Sequence, residues 1–286
     1  MSLYSTLTRR FDPVPFTQVS IEDQFWAPRM RTNRERTIPH ITRMLRETGR
    51  IDAFRMKRKP SANGAGIFGD SDVAKWLEGV CYDLAIQPDS ELTRTVDDVA
   101  GLIASAQQPD GYLNTYFTLL APDKRWTNLR SYHELYCAGH LLEAALAHHQ
   151  VTGNRLLLDA MVKNVGHFAS LFGPARGQKR GYCGHPEIEL ALVKLYRATG
   201  EERYLQLSQY FVDERGRTPH YFDIEAKARG EEPRSGKYDD DDYQYFQAHL
   251  PVREQTEAVG HAVRAMYLYS AMADLALESG DEERGT

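Results

Sequence analysis

"GHLLEAALAHHQVTGNRLLLDAMVKNVGHF" (139–168) decides the fold, because the chain writes the same pattern again. It returns as "GHPEIELALVKLYRATGEERYLQLSQYFVDERG" (184–216) and as "GHAVRAMYLYSAMADLALESGDEERGT" (260–286). Each unit opens with Gly-His, continues as an apolar helix and reaches Thr-Gly or Ser-Gly, at Gly153, Gly200 and Gly280. Glycine suits those points because a helix C-terminus favours a left-handed residue. In the first two units a second amphipathic helix follows, carrying Leu156, Leu157, Met161 and Val165 in one and Tyr204, Leu205, Phe211 and Val212 in the other. A helical hairpin is therefore repeated in tandem. An earlier, more divergent hairpin is expected from Asp72 to Ala106, with Val73, Trp76, Leu77 and Val80 on its first helix.

The units start at 139, 184 and 260, so their spacing is uneven, and a long polar insertion fills the wider interval. Even spacing would suit an open solenoid. Uneven spacing with long loops suits hairpins closed on themselves. The expected class is all-α, an (α/α)6 toroid or barrel, of which this chain carries about the first half. The third unit has its first helix and turn, and "DEERGT" is only the start of its partner, so the chain reads as cut within a unit. Residues 1–60 read as an N-terminal segment packing on the barrel, and 61–286 as a partial barrel domain truncated at its C-terminus. That N-terminal segment is irregular or β, with a strand-like alternation at Phe16, Val19 and Ile21. A helix follows from about Thr32, with Ile38, Ile41, Met44 and Leu45 on one face. "KRKPSANGAGIFGD" (57–70) is a breaker-rich loop, too irregular for a phosphate loop.

Composition narrows the partners. The net charge of −5 argues against nucleic acid, which needs a basic face. No apolar run is long enough to cross a bilayer. The opening "MSLYSTLTRRFDPVPF" has no apolar signal-peptide core, so cytoplasmic residence is expected. Cys81, Cys137 and Cys183 are odd in number, far apart and without CxxC spacing, and read as buried structural thiols.

In hairpin folds of this kind the residues entering each inner helix build the site. They are His133, Glu134, Tyr136 and His140; His185, Glu187 and Glu189; and Gln247, His249, Arg253, Glu254, Gln255, Glu257 and His261. A core-facing helix carries such polar groups only where it lines a wet cavity or satisfies buried partners. His133 and His140 lie two turns apart and share a face if one helix covers both; such a pair could bind metal. His148 and His149 read as surface residues, and "DDDD" (239–242) as a solvated loop rather than a calcium loop. "QQPDGYLNTYF" (107–117) could wall a sugar or plug the rim. A polar rim of histidine, glutamate and aromatic side chains with no charge bias suits a neutral polyhydroxylated ligand.

"SDVAKWLE", "QPDGYLNTYF", "RWTNLRSYHELYCAGHLLEAA", "GYCGHPEIELALVKLYRATGEERYL", "YFVDERG" and "QAHLPVREQTEAVGHAVRAMYLYSAMAD" resemble the bacterial β-L-arabinofuranosidases of glycoside hydrolase family 127. The resemblance runs from about Phe16 to Asp281. It implies an (α/α)6 barrel followed by β-sandwich domains, and retaining removal of terminal β-L-arabinofuranose from plant glycans or hydroxyproline-linked oligosaccharides. It implies that His133, His185 and His261 bind the sugar hydroxyls and fix the ring, with Glu187, Glu189 and Gln255 in support. The partner it implies is an arabinofuranose-containing oligosaccharide, and a homodimer is expected of the full-length protein.

The family's nucleophile is a cysteine held on zinc with two further cysteines and a glutamate, and a separate glutamate is its acid/base. Those groups belong to motifs C-terminal to VGHAVR: a Gly-Gly-rich turn with a glutamate, Glu-Thr-Cys and Cys-Cys. None of these motifs occurs here. No catalytic residue and no metal ligand is therefore assigned within the chain. Zinc is expected in the full-length protein, and the chain alone is expected to be inactive. The other reading is a non-catalytic remnant that binds carbohydrate or a partner.

Overall fold

The computed structural model describes residues 14–57, 66–234 and 243–279. The tetra-aspartate run, Gly280 and the "DEERGT" end lie outside them. Among the described residues all regular structure is helical, as the hairpin repeats require. The chain forms two compact units, one of 124–139 and 168–279, the other of 14–123 and 140–167.

The second of these begins at Val14. Phe16–Gln18 is a 3₁₀ turn, not part of a strand, and its Gln18 N–H donates to the Pro15 carbonyl. Val19 and Ile21 stay exposed. Three alternating apolar residues make a strand only beside another strand, and the described residues offer none. Helix α1 (Trp26–Thr32) starts earlier than the sequence suggested and passes through a π-turn, Asn33–Thr37, into α2 (Ile38–Glu47). Ile38 and Leu45 are buried there as expected, but Ile41 is exposed. After the short α3 (Arg50–Ala53) comes the expected divergent hairpin, α4 (Gly69–Ile86) and α5 (Ser90–Ser105). Its tight turn is set by Asp89, whose carboxylate caps α5 by accepting from the Glu91 and Leu92 N–H groups. Val73, Trp76, Leu77 and Val80 are all buried. The "QPDGYLNTYF" segment is a plug: Tyr112, Leu113 and Phe117 are buried, and Asn114 caps α6 (Thr115–Leu119).

Helix α7 (Glu134–Thr152) and α8 (Leu156–Leu171) form the first repeated hairpin, turning at Gly153 in the left-handed conformation. His148, expected at the surface, is fully buried and bonds Asp97 at 2.7 Å. Its position on α7 makes the reason plain: nearly every residue from Leu141 to His148 is buried, so this helix has no wet outer half.

In the other unit α9 (Ile188–Thr199) and α10 (Glu202–Glu214) repeat the hairpin, closed by left-handed Gly200. The insertion supplies α11 (Tyr221–Ala228) and two 3₁₀ turns, and α12 (Ala262–Ser279) follows. The core joins Val193 of α9, Leu205 and Val212 of α10, Val252, and Leu268 and Leu275 of α12. Val263, Met266 and Leu277 of α12 are exposed.

The core and the surface of this unit should differ sharply in cost. Leu268→Ala is expected to lose about 2–5 kcal/mol by cavity formation. Arg197→Ala, which breaks half-exposed pairs to Asp274 and Glu278, should lose no more than about 1 kcal/mol. Denaturant unfolding measures both, and the reverse order would contradict this account of the core.

Candidate functional site

Three loop ends of one unit converge. His133 immediately precedes α7 in the left-handed conformation (φ 59°), His185 lies just before α9, and His261 immediately precedes α12. Their ring centroids stand 5.8 Å apart for His133–His185 and 6.4 Å for His185–His261. Tyr136 packs against His185 at 4.4 Å, Tyr267 against His185 at 5.5 Å, and Tyr245 edge-on to His261 at 5.2 Å. Arg264, buried, lays its guanidinium over Tyr245 and Phe246 at 4.6 and 4.7 Å. The three histidines are half-buried, so the cluster is both enclosed and reachable.

Hydrogen bonds set the polarity of this wall. His133 Nδ1 lies 2.7 Å from the Ser131 carbonyl, and His185 Nδ1 lies 2.9 Å from the Pro186 carbonyl. A carbonyl only accepts, so each Nδ1 carries the proton, and in the neutral ring Nε2 is a bare acceptor. His261 is the opposite case. Its Nδ1 accepts the Arg264 N–H at 3.5 Å, so the neutral ring carries its proton on Nε2. Burial pushes the His185 pKa down to about 3, with the Arg264 charge and the two other histidines adding to the effect. The wall therefore offers two acceptors and one donor.

The backbone under these rings is bound into one piece. The Glu225 carboxylate accepts the Leu129 and Arg130 N–H groups at 2.7 and 3.0 Å, and Asn128 Oδ1 accepts that of Ser131. Burial raises the Glu225 pKa to about 7 against those hydrogen bonds and Arg229. The Gly184 N–H donates to the Leu129 carbonyl, which ties the His185 loop to the His133 loop. Gly184 must be glycine: a Cβ there would overlap the Arg130 carbonyl. Gln247, fully buried, donates from Nε2 to the Val259 and His261 carbonyls, and the His261 N–H donates to Tyr245. Gly260, at φ 80°, permits that approach, since a side chain would strike the Gln244 carbonyl.

The expected supporting residues are placed as follows. Glu189 is fully buried, accepts the Glu187 N–H at 3.0 Å and pairs with Arg215. Glu187 is buried against Gly139, where only a residue without Cβ fits. Gln255 holds the Gln247 and Leu250 carbonyls rather than facing the imidazoles. Glu257 is exposed, and Arg253 faces Asp213 at 3.8 Å. Sequence reasoning missed Tyr245, Tyr267, Arg264, Arg215 and Glu225. The two tyrosines and Arg264 flank His261 at helical or turn spacing, a signal that could have been read. Arg215 lay within the YFVDERG motif, though nothing there marked its task, and Glu225 had no signal.

His140 does not join His133. Helix α7 starts after His133, so one helix does not cover both, and His140 lies buried in the other unit. There Glu78, His140 and Glu143 bring one ligand atom each within 4.8 Å of one another, a set that could hold a metal ion. No other such group of three or more is present among the described residues, and none includes a cysteine. All three cysteines are buried and outside any disulfide, and burial pushes Cys81 and Cys183 up to about 12. A thiolate metal centre needs clustered, acidified cysteines, so these three do not fit one.

The likeness to known proteins is close. The family model for the catalytic domain of GH127 β-L-arabinofuranosidases matches residues 18–286. A non-reducing end β-L-arabinofuranosidase of Bifidobacterium longum subsp. longum is 45% identical over 220 residues, 76% of this chain and 33% of that protein. The crystal structure of a GH127 β-L-arabinofuranosidase from Geobacillus stearothermophilus T6 superposes with a TM-score of 0.89 at 51% identity, covering 93% of this chain and 43% of that one. A further GH127 β-arabinofuranosidase structure gives 0.83 at 40%, over 96% of this chain and 42% of that one. The helical hairpins and these matches define a glycoside hydrolase catalytic domain. The chain belongs to the GH127 β-L-arabinofuranosidase family, and it spans less than half the length of each of these relatives.

The tautomers are open to direct measurement. Long-range ¹H–¹⁵N spectra near neutral pH should show His133 and His185 protonated at Nδ1 and His261 at Nε2. His185 should remain neutral down to about pH 3. Because its folded pKa lies below the unfolded value, its contribution to stability is present above about pH 6.5 and is lost on acidification toward pH 3. A His185 resonance titrating near 6.5 in the folded chain would contradict the burial described.

Proposed function

We propose that the protein removes terminal β-L-arabinofuranose from glycans with retention, and that this chain supplies the wall that binds and orients the sugar. The observation that carries the reading is the convergence of His133, His185 and His261 with fixed, mixed polarity. A furanose presents hydroxyls that both donate and accept. Two hydroxyls donate to the unprotonated Nε2 atoms of His133 and His185, and one accepts from His261 Nε2–H. Tyr136, Tyr245 and Tyr267 give the apolar ring faces their surface and keep water away from those bonds. The His185 ring, held neutral by burial, suits an uncharged ligand, and fixed ring planes lower the entropy cost of orienting the bound sugar. Glu187 and Glu189 act beneath the wall as supports, and Gln255 holds the loop next to it.

The three buried thiols do not form a zinc centre among the described residues. No bond-making step is assigned to the described residues, and binding without turnover is the behaviour proposed for this chain alone. Zinc in the full-length protein, a homodimer and cytoplasmic residence belong to the same proposal. No helix of the described residues is long and apolar enough to cross a membrane.

The test is a titration of the purified chain with an aryl β-L-arabinofuranoside, read both as binding and as released phenol. Saturable binding is expected, weakened tenfold or more by His185→Ala (about 1.4 kcal/mol per tenfold), with no release of phenol. Selective binding of a pyranoside in its place would reject the sugar assignment. Release of phenol by this chain would place reacting groups within it.

A further inference from the structure

We propose that Arg215 is the positioning residue of the site, setting the spacing of His185 and His261 without touching the ligand. The inference rests on the reading above, in that the spacing matters because a sugar bridges the rings. Arg215 stands one residue beyond α10, with its side chain fully buried. One arm of its guanidinium, Nη1, donates to the Phe246 carbonyl at 3.0 Å. The other, Nη2, donates to the Cys183 carbonyl at 2.7 Å and to Glu189 Oε1 at 3.1 Å. Its plane also lies over the Tyr182 ring, 5.1 Å from the centroid.

Cys183 is two residues before His185. Phe246 adjoins both Tyr245, whose carbonyl accepts the His261 N–H, and Gln247, whose amide holds the His261 carbonyl. One planar cation thus spans the two backbone segments that carry His185 and His261. Glu189 finishes the bracket. Its other oxygen accepts the Glu187 N–H at the start of α9, and its own carbonyl is held by Ser208 Oγ of α10 at 2.7 Å. The rigid fork of arginine suits this task, whereas a lysine ammonium would reach the carbonyls only as a point donor. The His133 loop has holders of its own, Glu225 and Asn128, and meets the His185 loop through the Gly184–Leu129 hydrogen bond. Loss of the bracket should therefore act selectively.

Removing Arg215 alone strands the Glu189 charge in the core and risks unfolding. The informative variant is Arg215→Met combined with Glu189→Leu, which removes both charges and keeps the volume. A second variant, Arg215→Lys, keeps the charge and loses the fork. In each, the imidazole ¹H–¹⁵N signals are followed, assigned by single His→Gln changes, beside circular dichroism and a thermal melt. In whichever variant remains folded, the His185 and His261 signals should shift or broaden while those of His133 change little. Affinity for the aryl β-L-arabinofuranoside should fall at least tenfold, and Arg215→Lys should retain part of it. A folded variant with all three imidazoles unchanged, or with all three moved alike, overturns the proposal and leaves Arg215 a core fixture. If the unaltered chain binds no arabinofuranoside, the functional reading fails, while the imidazole signals still decide the role of Arg215.

Discussion

A guanidinium and a carboxylate, both with no exposure to solvent, meet between Arg215 and Glu189. Burying two charges is unfavourable unless geometry and further hydrogen bonds satisfy them, and leaving either alone costs about 3–5 kcal/mol. This pair meets that condition by drawing in the backbone. The carbonyls of Cys183 and Phe246 bind the two terminal nitrogens of the arginine, leaving its Nε without a partner, and the Glu187 N–H binds the second oxygen of the glutamate. The loops that carry the site therefore cannot relax independently: a shift in one leaves part of a buried ion unsatisfied. Hydrophobic packing of α9, α10 and α12 makes the unit stable, but the hydrophobic effect is non-directional. The ion pair and its carbonyls supply the finer constraint.

The hairpins were legible because their signals are local. Periodicity marked α4, α5 and α7–α10, and Thr-Gly marked the turns at Gly153 and Gly200, where a left-handed residue ends a helix. The N-terminal strand was not, because an alternating pattern has no meaning without a partner that sequence cannot point to. The repeated Gly-His also misled in part. In the second and third units the pair precedes its helix and delivers His185 and His261. In the first it falls inside α7, where Gly139 lets Glu187 approach and His140 is buried. The histidine that joins the site is His133, six residues earlier in chain order than that glycine and held by a left-handed backbone. Position relative to the helix start, not the dipeptide, determines which imidazole reaches the site.

The residues missed were those whose task is to hold backbone. Glu225 is distant in sequence from the two N–H groups it accepts, and Arg215 from the two carbonyls it joins. A side chain that bonds main chain leaves no complementary residue type to search for, so composition and spacing are silent. His133, His185 and His261 could be singled out because their chemistry is conspicuous and the motifs that hold them are long, and the structure brings their rings together.

The same dependence on main chain sets the polarity of the three imidazoles. A neutral imidazole is an ambiguous reader of hydroxyls until something fixes which nitrogen carries the proton. Here main chain fixes it: the carbonyls of Ser131 and Pro186 on one side, the N–H of Arg264 on the other. Reversing one tautomer would set a lone pair against a lone pair, or proton against proton, at a buried contact, where an unmade hydrogen bond costs about 1–3 kcal/mol. Selectivity thus depends less on the three histidines than on the backbone conformations that bias them. Those conformations in turn depend on Gly184, Gly260, Glu225, Gln247 and Arg215. The orientation of the imidazoles is thus set by main chain and by buried side chains beneath it, and belongs to the fold of this unit.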